Sequence, residues 1–182
     1  MQIAAICGSL REDSFNKKIL EAVLHYLPEG VTCTSLSVND LPLYSQDIDG
    51  EEKPDSVVRF KEGIAQCDAL LFVTPEYNYS IPGVLKNAID WASRPAYKSV
   101  LAHKPAAIIS ASKSPIGGAR VQADLRQVFS ATLTPVVMAP PLTIGQVHTV
   151  FDSAGKIVDS NVVARLERYI ADFVAWAEKY TV

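Results

Sequence analysis

Ala69-Leu70-Leu71-Phe72-Val73-Thr74 is followed by Pro75-Glu76-Tyr77-Asn78-Tyr79-Ser80-Ile81-Pro82-Gly83 and then by Val84-Leu85-Lys86-Asn87-Ala88-Ile89-Asp90-Trp91. The first run is apolar or β-branched throughout, has the length of a strand, and shows no alternation, so both of its faces are expected to be covered. After the turn, Leu85, Ala88, Ile89 and Ala92 fall on one helical face. A strand buried on both sides that leads into a helix with one apolar stripe is the repeating unit of a parallel sheet flanked by helices. The unit recurs in both directions along the chain. Further strands are predicted at Gln2 to Cys7, Val31 to Leu36, Pro105 to Ala111 and Pro135 to Met138. The helical stripes are Phe15, Ile19, Ala22, Val23 and Tyr26; Val57, Phe60, Ile64 and Cys67; Val121, Leu125, Val128 and Phe129; and Val162, Leu166, Tyr169, Ile170, Phe173 and Ala177. Right-handed crossovers and short connections then favour an α/β fold: a doubly wound, five-stranded parallel sheet in the order 2-1-3-4-5, with helices on both faces. No composition break, internal repeat or low-complexity tract divides the chain, so residues 1–182 are expected to form a single domain.

Composition narrows the partners. The chain is 48% hydrophobic and 20% charged, the make-up of a soluble domain and not of a disordered or fibrous one. Its 17 Lys plus Arg against 20 Asp plus Glu give a net charge of −3, so no global positive field exists to hold nucleic acid. The three cysteines, Cys7, Cys33 and Cys67, are widely spaced within or beside apolar runs and read as buried free thiols. No Cys pair or His cluster has metal-ligand spacing, since His25, His103 and His148 are scattered. The first apolar stretch has no basic residues ahead of it and runs into a glycine loop, so it reads as a strand and not as a signal peptide. No apolar run is long enough to span a bilayer, and a cytoplasmic location is expected.

In a sheet of this order, ligands sit beyond the carboxyl ends of the strands, near the switch point between the first and third. The loops there are Gly8 to Ser14, Pro75 to Pro82 and Ser112 to Gly118. The first offers backbone N–H groups, the hydroxyls of Ser9 and Ser14, the amide of Asn16 and the guanidinium of Arg11 at a helix N-terminus, which are the donors that a phosphate monoester needs. A plain helix cap by Ser14 or Asp13 would account for one residue of that set. Neither Gly-x-x-x-x-Gly-Lys-Ser/Thr nor Gly-x-Gly-x-x-Gly is present, and Asp13 stands where a cysteine phosphatase would need arginine, so the loop suits a mononucleotide phosphate. The second loop crowds polar and aromatic groups onto a turn bounded by two prolines, as befits a planar heterocycle. The third carries Gly117-Gly118, which permit close backbone approach. The spacer from Ser37 to Pro54 is long for a βα connection, a length more often functional than idle.

Together, Gly8-Ser9-Leu10-Arg11 with Ser14-Phe15-Asn16, the stretch from Pro75 to Trp91, and Gly117-Gly118-Ala119-Arg120 with Leu125-Arg126-Gln127 resemble the NADPH-dependent FMN reductase family, which includes bacterial chromate and quinone reductases and flavodoxin-like azoreductases. The likeness runs from about Gln2 into the fifth strand. It implies a flavodoxin-like fold, non-covalent FMN, NADPH or NADH as electron donor, and a small acceptor such as a quinone, chromate, an azo compound or free flavin. By the same resemblance, Ser9, Arg11, Ser14, Phe15 and Asn16 surround the FMN phosphate, Pro75, Glu76, Tyr77 and Asn78 line the isoalloxazine, and Ser112 closes the site. The chemistry then belongs to the cofactor, and neither a catalytic side chain nor a metal is required.

Two departures from the family pattern carry expectations of their own. Lys113-Ser114-Pro115 replaces a loop in which relatives often have glycine, and Lys113 adds positive charge near the presumed substrate mouth. Its replacement is expected to alter the preference for anionic acceptors or for NADPH over NADH while leaving FMN content unchanged. Pro141 and Ala123 stand where relatives carry the Glu and aromatic residues of tetramer contacts, so a homodimer is expected in preference to a tetramer. The alternative reading is an FMN-binding electron carrier or regulatory module that does not oxidise pyridine nucleotide, although such carriers usually bear a strong acidic face. A phosphoester hydrolase, the third reading, lacks a nucleophile at the needed spacing.

Overall fold

The computed structural model describes residues 1–180. Its elements alternate as β1 (Gln2–Cys7), α1 (Phe15–Leu24), β2 (Thr32–Leu36), α2 (Asp55–Ala65), β3 (Ala69–Thr74), α3 (Gly83–Ala92), β4 (Ala106–Ala111), α4 (Ala119–Ala131), β5 (Leu142–Ile144) and α5 (Ser160–Tyr180). The strands are parallel, in the order β2-β1-β3-β4-β5, as the hydrophobic pattern predicts.

β3 lies at the centre and is buried at every residue. Because side chains alternate across a strand, Leu71 and Val73 face a cluster with Ile3, Ile19, Val23, Ile170 and Phe173, under α1 and α5. Leu70 and Phe72 face the opposite cluster with Phe60, Ile64, Leu85, Ile89 and Phe129, under α2, α3 and α4. In that second layer the rings of Phe72 and Phe129 meet at 4.7 Å.

Two strands depart from expectation. β2 reads Thr-Cys-Thr-Ser-Leu, and Thr32, Thr34 and Ser35 are exposed. As the sheet edge it is not sandwiched between helices, and its polar side chains are compatible with water. The fifth strand was expected at Pro135 to Met138, yet the sheet receives only an isolated bridge from Val136 to Ala106 there, and β5 begins at Leu142. Pro140 and Pro141 have no N–H to give a ladder, and Met138 turns outward, 91% exposed.

That gap leaves the N–H and C=O of Ile108 in β4 without a neighbouring strand. The Tyr169 hydroxyl of α5 fills the place, accepting from Ile108 N at 3.1 Å and donating to Ile108 O at 2.9 Å. Burial pushes the phenol upward in pKa, so it keeps the proton it donates.

The long spacer is a strap held to α3. Asn87 Nδ2 and Trp91 Nε1 both donate to Pro42 O, at 2.9 and 2.7 Å, and Asn87 Oδ1 accepts from Tyr44 N at 2.8 Å. Tyr44 packs edge-on to Trp91 at 4.9 Å. Two residues of the second sequence motif thus serve to anchor the strap.

Replacing Tyr169 with Phe should lower the unfolding free energy by about 1–3 kcal/mol, the cost of orphaning buried backbone groups. A urea or thermal midpoint equal to that of the parent protein would show that Ile108 does not depend on the hydroxyl.

Candidate functional site

The site begins where β1 and β3 leave the sheet side by side. A Cβ at Gly8 would lie 2.2 Å from Thr74 Oγ1, so a residue without a side chain is required there. Gly8 N donates to Val73 O at 2.9 Å, which sets the first loop directly against the second.

Within the first loop, Ser14 is the N-cap of α1, and its Oγ accepts from Asn16 N at 3.2 Å. The capping role is therefore real, and it accounts for Ser14 alone. Ser9, Ser14 and Asn16 are all buried. Asn16 Nδ2 reaches across to Ala111 O at the end of β4, at 3.1 Å, while its Oδ1, on a residue only 4% exposed, has no partner. Arg11 is exposed and donates to Asp13 O at 3.1 Å.

The three loops enclose a cavity of about 160 Å³ lined by Ser9, Arg11, Ser14, Phe15, Asn16, Pro75, Glu76, Tyr77, Ala111, Ser112, Lys113 and Val147. Nine of the ten residues named from sequence are among them; Asn78 is not. Asn78 and Tyr79 have φ of 50° and 67° and form the corner of a tight turn, closed by Tyr77 N to Ser80 O at 3.1 Å and Ser80 N to Tyr77 O at 3.0 Å. Two successive left-handed residues make this a type I′ turn, a conformation that asparagine tolerates. A reciprocal backbone pair, rather than the two prolines, closes it.

Glu76 lines the cavity, but its carboxylate is engaged elsewhere. Oε2 accepts from Arg120 N at 2.8 Å and Val121 N at 3.3 Å, and Oε1 pairs with Arg120 Nη1 at 3.2 Å. The N-cap position of α4 is Gly118, with φ of 80° and no side chain to offer, so a carboxylate from the second loop caps the helix that follows the third. The Arg120 guanidinium continues over the Tyr79 ring, 4.2 Å from its centroid.

The third loop is fastened to the segment after β5. Ser112 N donates to Ile144 O, Gln146 N to Ser114 O and Val147 N to Ser112 O, each at 3.1 Å. A Cβ at Gly117 would lie 2.7 Å from Gly145 N, and one at Gly145 would lie 2.1 Å from Pro115 O. The close approach allowed by Gly117 is therefore to this chain's own backbone. The same anchoring brings in Val147, which no motif marks: it stands in an irregular stretch whose position only the pairing of β5 with β4 reveals.

None of the three thiols is activated. Burial raises the pKa of Cys7 and Cys67, and that of Cys33 to about 11; Cys7 and Cys33 are half-buried rather than fully buried. A larger recess of about 560 Å³ lies between the strap and α2, but its Lys53 and Lys61 already donate to the carbonyls of Gly50 and Arg94. The smaller cavity combines the buried polar side chains of Ser9, Ser14 and Asn16 with cations, Arg11 and Lys113, that make no ion pair among the described residues. Its one buried acceptor without a partner, Asn16 Oδ1, calls for a hydroxyl or N–H donor. A phosphate ester of a polyol supplies both halves of that demand, and the ribityl phosphate of FMN is such a group.

A doubly wound parallel sheet whose first loop sets Ser9, Arg11 and Ser14 at a helix start beside the switch point is the architecture of the flavodoxin-like fold. Residues 1–149 match the NADPH-dependent FMN reductase family, and the chain belongs to it. It is 42% identical over 176 residues to a 2-hydroxy-1,4-benzoquinone reductase of Burkholderia sp, covering 97% of this chain and 96% of that protein. A quinone reductase of Pseudomonas putida is 38% identical over 176 residues, covering 97% and 94% respectively. The solved structure of a flavoenzyme NAD(P)H:(acceptor) oxidoreductase from Paracoccus denitrificans shares 37% identity over 98% of both chains, with a TM-score of 0.90. Among the described residues, no helix is long and apolar enough to cross a membrane.

Substituting Glu76 with Ala should destabilise the flavin-free protein by about 1–2 kcal/mol, the usual cost of a lost N-terminal cap. Differential scanning calorimetry tests this, and an unchanged transition would assign the capping to water.

Proposed function

We propose that the protein is an FMN-dependent NAD(P)H oxidoreductase that passes electrons from NADPH or NADH to a small acceptor, with quinones as the foremost class. The observation that carries this is the convergence of buried Ser9, Ser14 and Asn16 with Arg11 and Lys113, which make no ion pair among the described residues, on one cavity at the switch point, in a chain of the NADPH-dependent FMN reductase family. The quinone assignment draws on the relatives, two of which bear that substrate class in their names.

When bound, FMN would supply the redox chemistry, namely hydride transfer from a nicotinamide and electron transfer to the acceptor. The protein's part is to hold and orient. Ser9, Arg11, Ser14, Phe15 and Asn16 form the phosphate and ribityl end, where the start of α1 adds its dipole. Asn16 Oδ1, which has no partner among the described residues, would be the acceptor for a ribityl hydroxyl. Pro75, Glu76 and Tyr77 would present the wall for the ring, with Asn78 at the turn corner beside them, and the Glu76 carboxylate braces that wall against α4. Ser112, tied to Ile144, closes the opposite side. No side chain of this set need act as nucleophile or base.

On this reading residues 1–182 act as a single FMN-binding unit in the cytoplasm, where reduced pyridine nucleotides and free thiols are maintained. A homodimer is the expected assembly. Tyr77, Tyr79 and Ile116 leave apolar surface exposed on two of the three loops, while Pro141 and Ala123 replace the residues of the family's tetramer contacts.

Anaerobic mixing of the FMN-loaded protein with NADPH or NADH should bleach the flavin absorbance, and a benzoquinone should restore it. Failure to take up FMN, or FMN that neither donor bleaches, would overturn the assignment. Changing Arg11 to Ala should weaken FMN binding by about 1.5–3 kcal/mol, as expected for a hydrogen bond to a charged group; an unaltered Kd in a fluorescence titration would show that Arg11 does not reach the phosphate.

A further inference from the structure

We propose that Lys113, on the loop after β4, is a second cationic arm for the mononucleotide phosphate, so that FMN is selected over riboflavin from two loops rather than one. This rests on the reading of the cavity as an FMN site, and it moves Lys113 from the acceptor mouth, where sequence alone placed it, to the phosphate end.

The geometry is specific. Lys113 lines the same cavity as Ser9, Arg11, Ser14 and Asn16. Its ammonium lies 5.8 Å from the ring centroid of Phe15, the first residue of α1 and the neighbour of the capping Ser14. The electron-rich ring face gives the cation a resting place beside the helix N-terminus. Phe15 is itself steadied by Phe151, whose ring stacks on it at 5.9 Å with an interplanar angle of 21°. The backbone on either side of Lys113 is held, since Ser112 and Ser114 both bond to the 144–147 segment. The position of this ammonium is thus set from both ends.

The charge pattern points to an anion. Lys18 also places its ammonium 5.8 Å from the Phe15 centroid. Arg11, Lys18 and Lys113 make no ion pair among the described residues; the neighbouring Glu12 and Asp13 are exposed and pair with none of them. Three like charges gathered around one helix start repel one another unless a ligand neutralises them, on a protein whose net charge is −3. The unpartnered, buried Asn16 Oδ1 narrows that ligand to a phosphate ester carrying a hydroxyl donor. Lys18 does not line the cavity and supplies an internal control.

The test is fluorescence titration of the flavin-free full-length chain with FMN and with riboflavin, at low and high salt. Lys113→Met should raise the Kd for FMN about fivefold at low salt, the scale of one exposed charge pair, with a smaller effect at high salt. The Kd for riboflavin should not move. Lys113→Arg, which keeps the charge, should hold the parent affinity, and Lys18→Met should change it by less than half as much on a logarithmic scale. Circular dichroism confirms that each variant is folded. Equal losses for FMN and riboflavin, no loss for either, equal effects at positions 18 and 113, or an effect confined to the KM for NADPH over NADH would each overturn the assignment. A wild-type chain that takes up neither flavin would overturn the FMN reading of the cavity itself.

Discussion

A side chain at residue 8 would collide with the Thr74 hydroxyl 2.2 Å away, so the turn out of β1 can lie against the end of β3 only because that residue is glycine. Everything at the site depends on this approach. With β1 and β3 adjacent in the sheet, the loop that starts α1 and the loop that starts α3 emerge together. The polar residues of the two loops are thereby brought to one cavity.

The same architecture leaves backbone groups that no regular ladder can pair, and the protein meets them with side chains from distant elements. Glu76 caps α4 across 44 residues of sequence, where Gly118 has nothing to offer. Tyr169 serves Ile108 where two prolines have pulled the chain out of the sheet. Asn87 and Trp91 hold the strap through Pro42. Each substitutes one hydrogen bond for another whose loss in the interior would cost on the order of 1–3 kcal/mol. Asn16 Oδ1 and Gln122 Oε1 both lack a partner among the described residues, and of the two only Asn16 belongs to the cavity lining.

Charge is distributed by the same logic. The slight net negative charge leaves no long-range field to collect polyanions, yet Arg11 and Lys113 line one small cavity and Lys18 sits just outside it. Arg11 and Lys113 are both exposed, so salt confines their attraction for an anion to roughly 8 Å at physiological ionic strength. An acidic protein can therefore hold an anionic cofactor at one place without attracting anions in general.

The sequence by itself determined the order of the elements and most of the site. Helical stripes of period 3.6 and unbroken apolar runs report burial, and a run such as Ala69–Thr74 fits a strand covered on both faces. The first two loops were legible because their residues follow strand ends directly, so that topology alone brings them together. Only the tertiary structure decided the rest. β5 could not be placed from Pro135 to Met138, because whether a short apolar run joins a sheet depends on the N–H groups that its neighbours lack. That Asn78 stands at the corner of a tight turn is a matter of φ, and polarity does not report it. The turn of the Glu76 carboxylate toward α4, the arrival of Val147, and the place of Lys113 beside Phe15 all depend on pairings between residues dozens of positions apart, and such pairings leave no periodic trace in the chain that makes them.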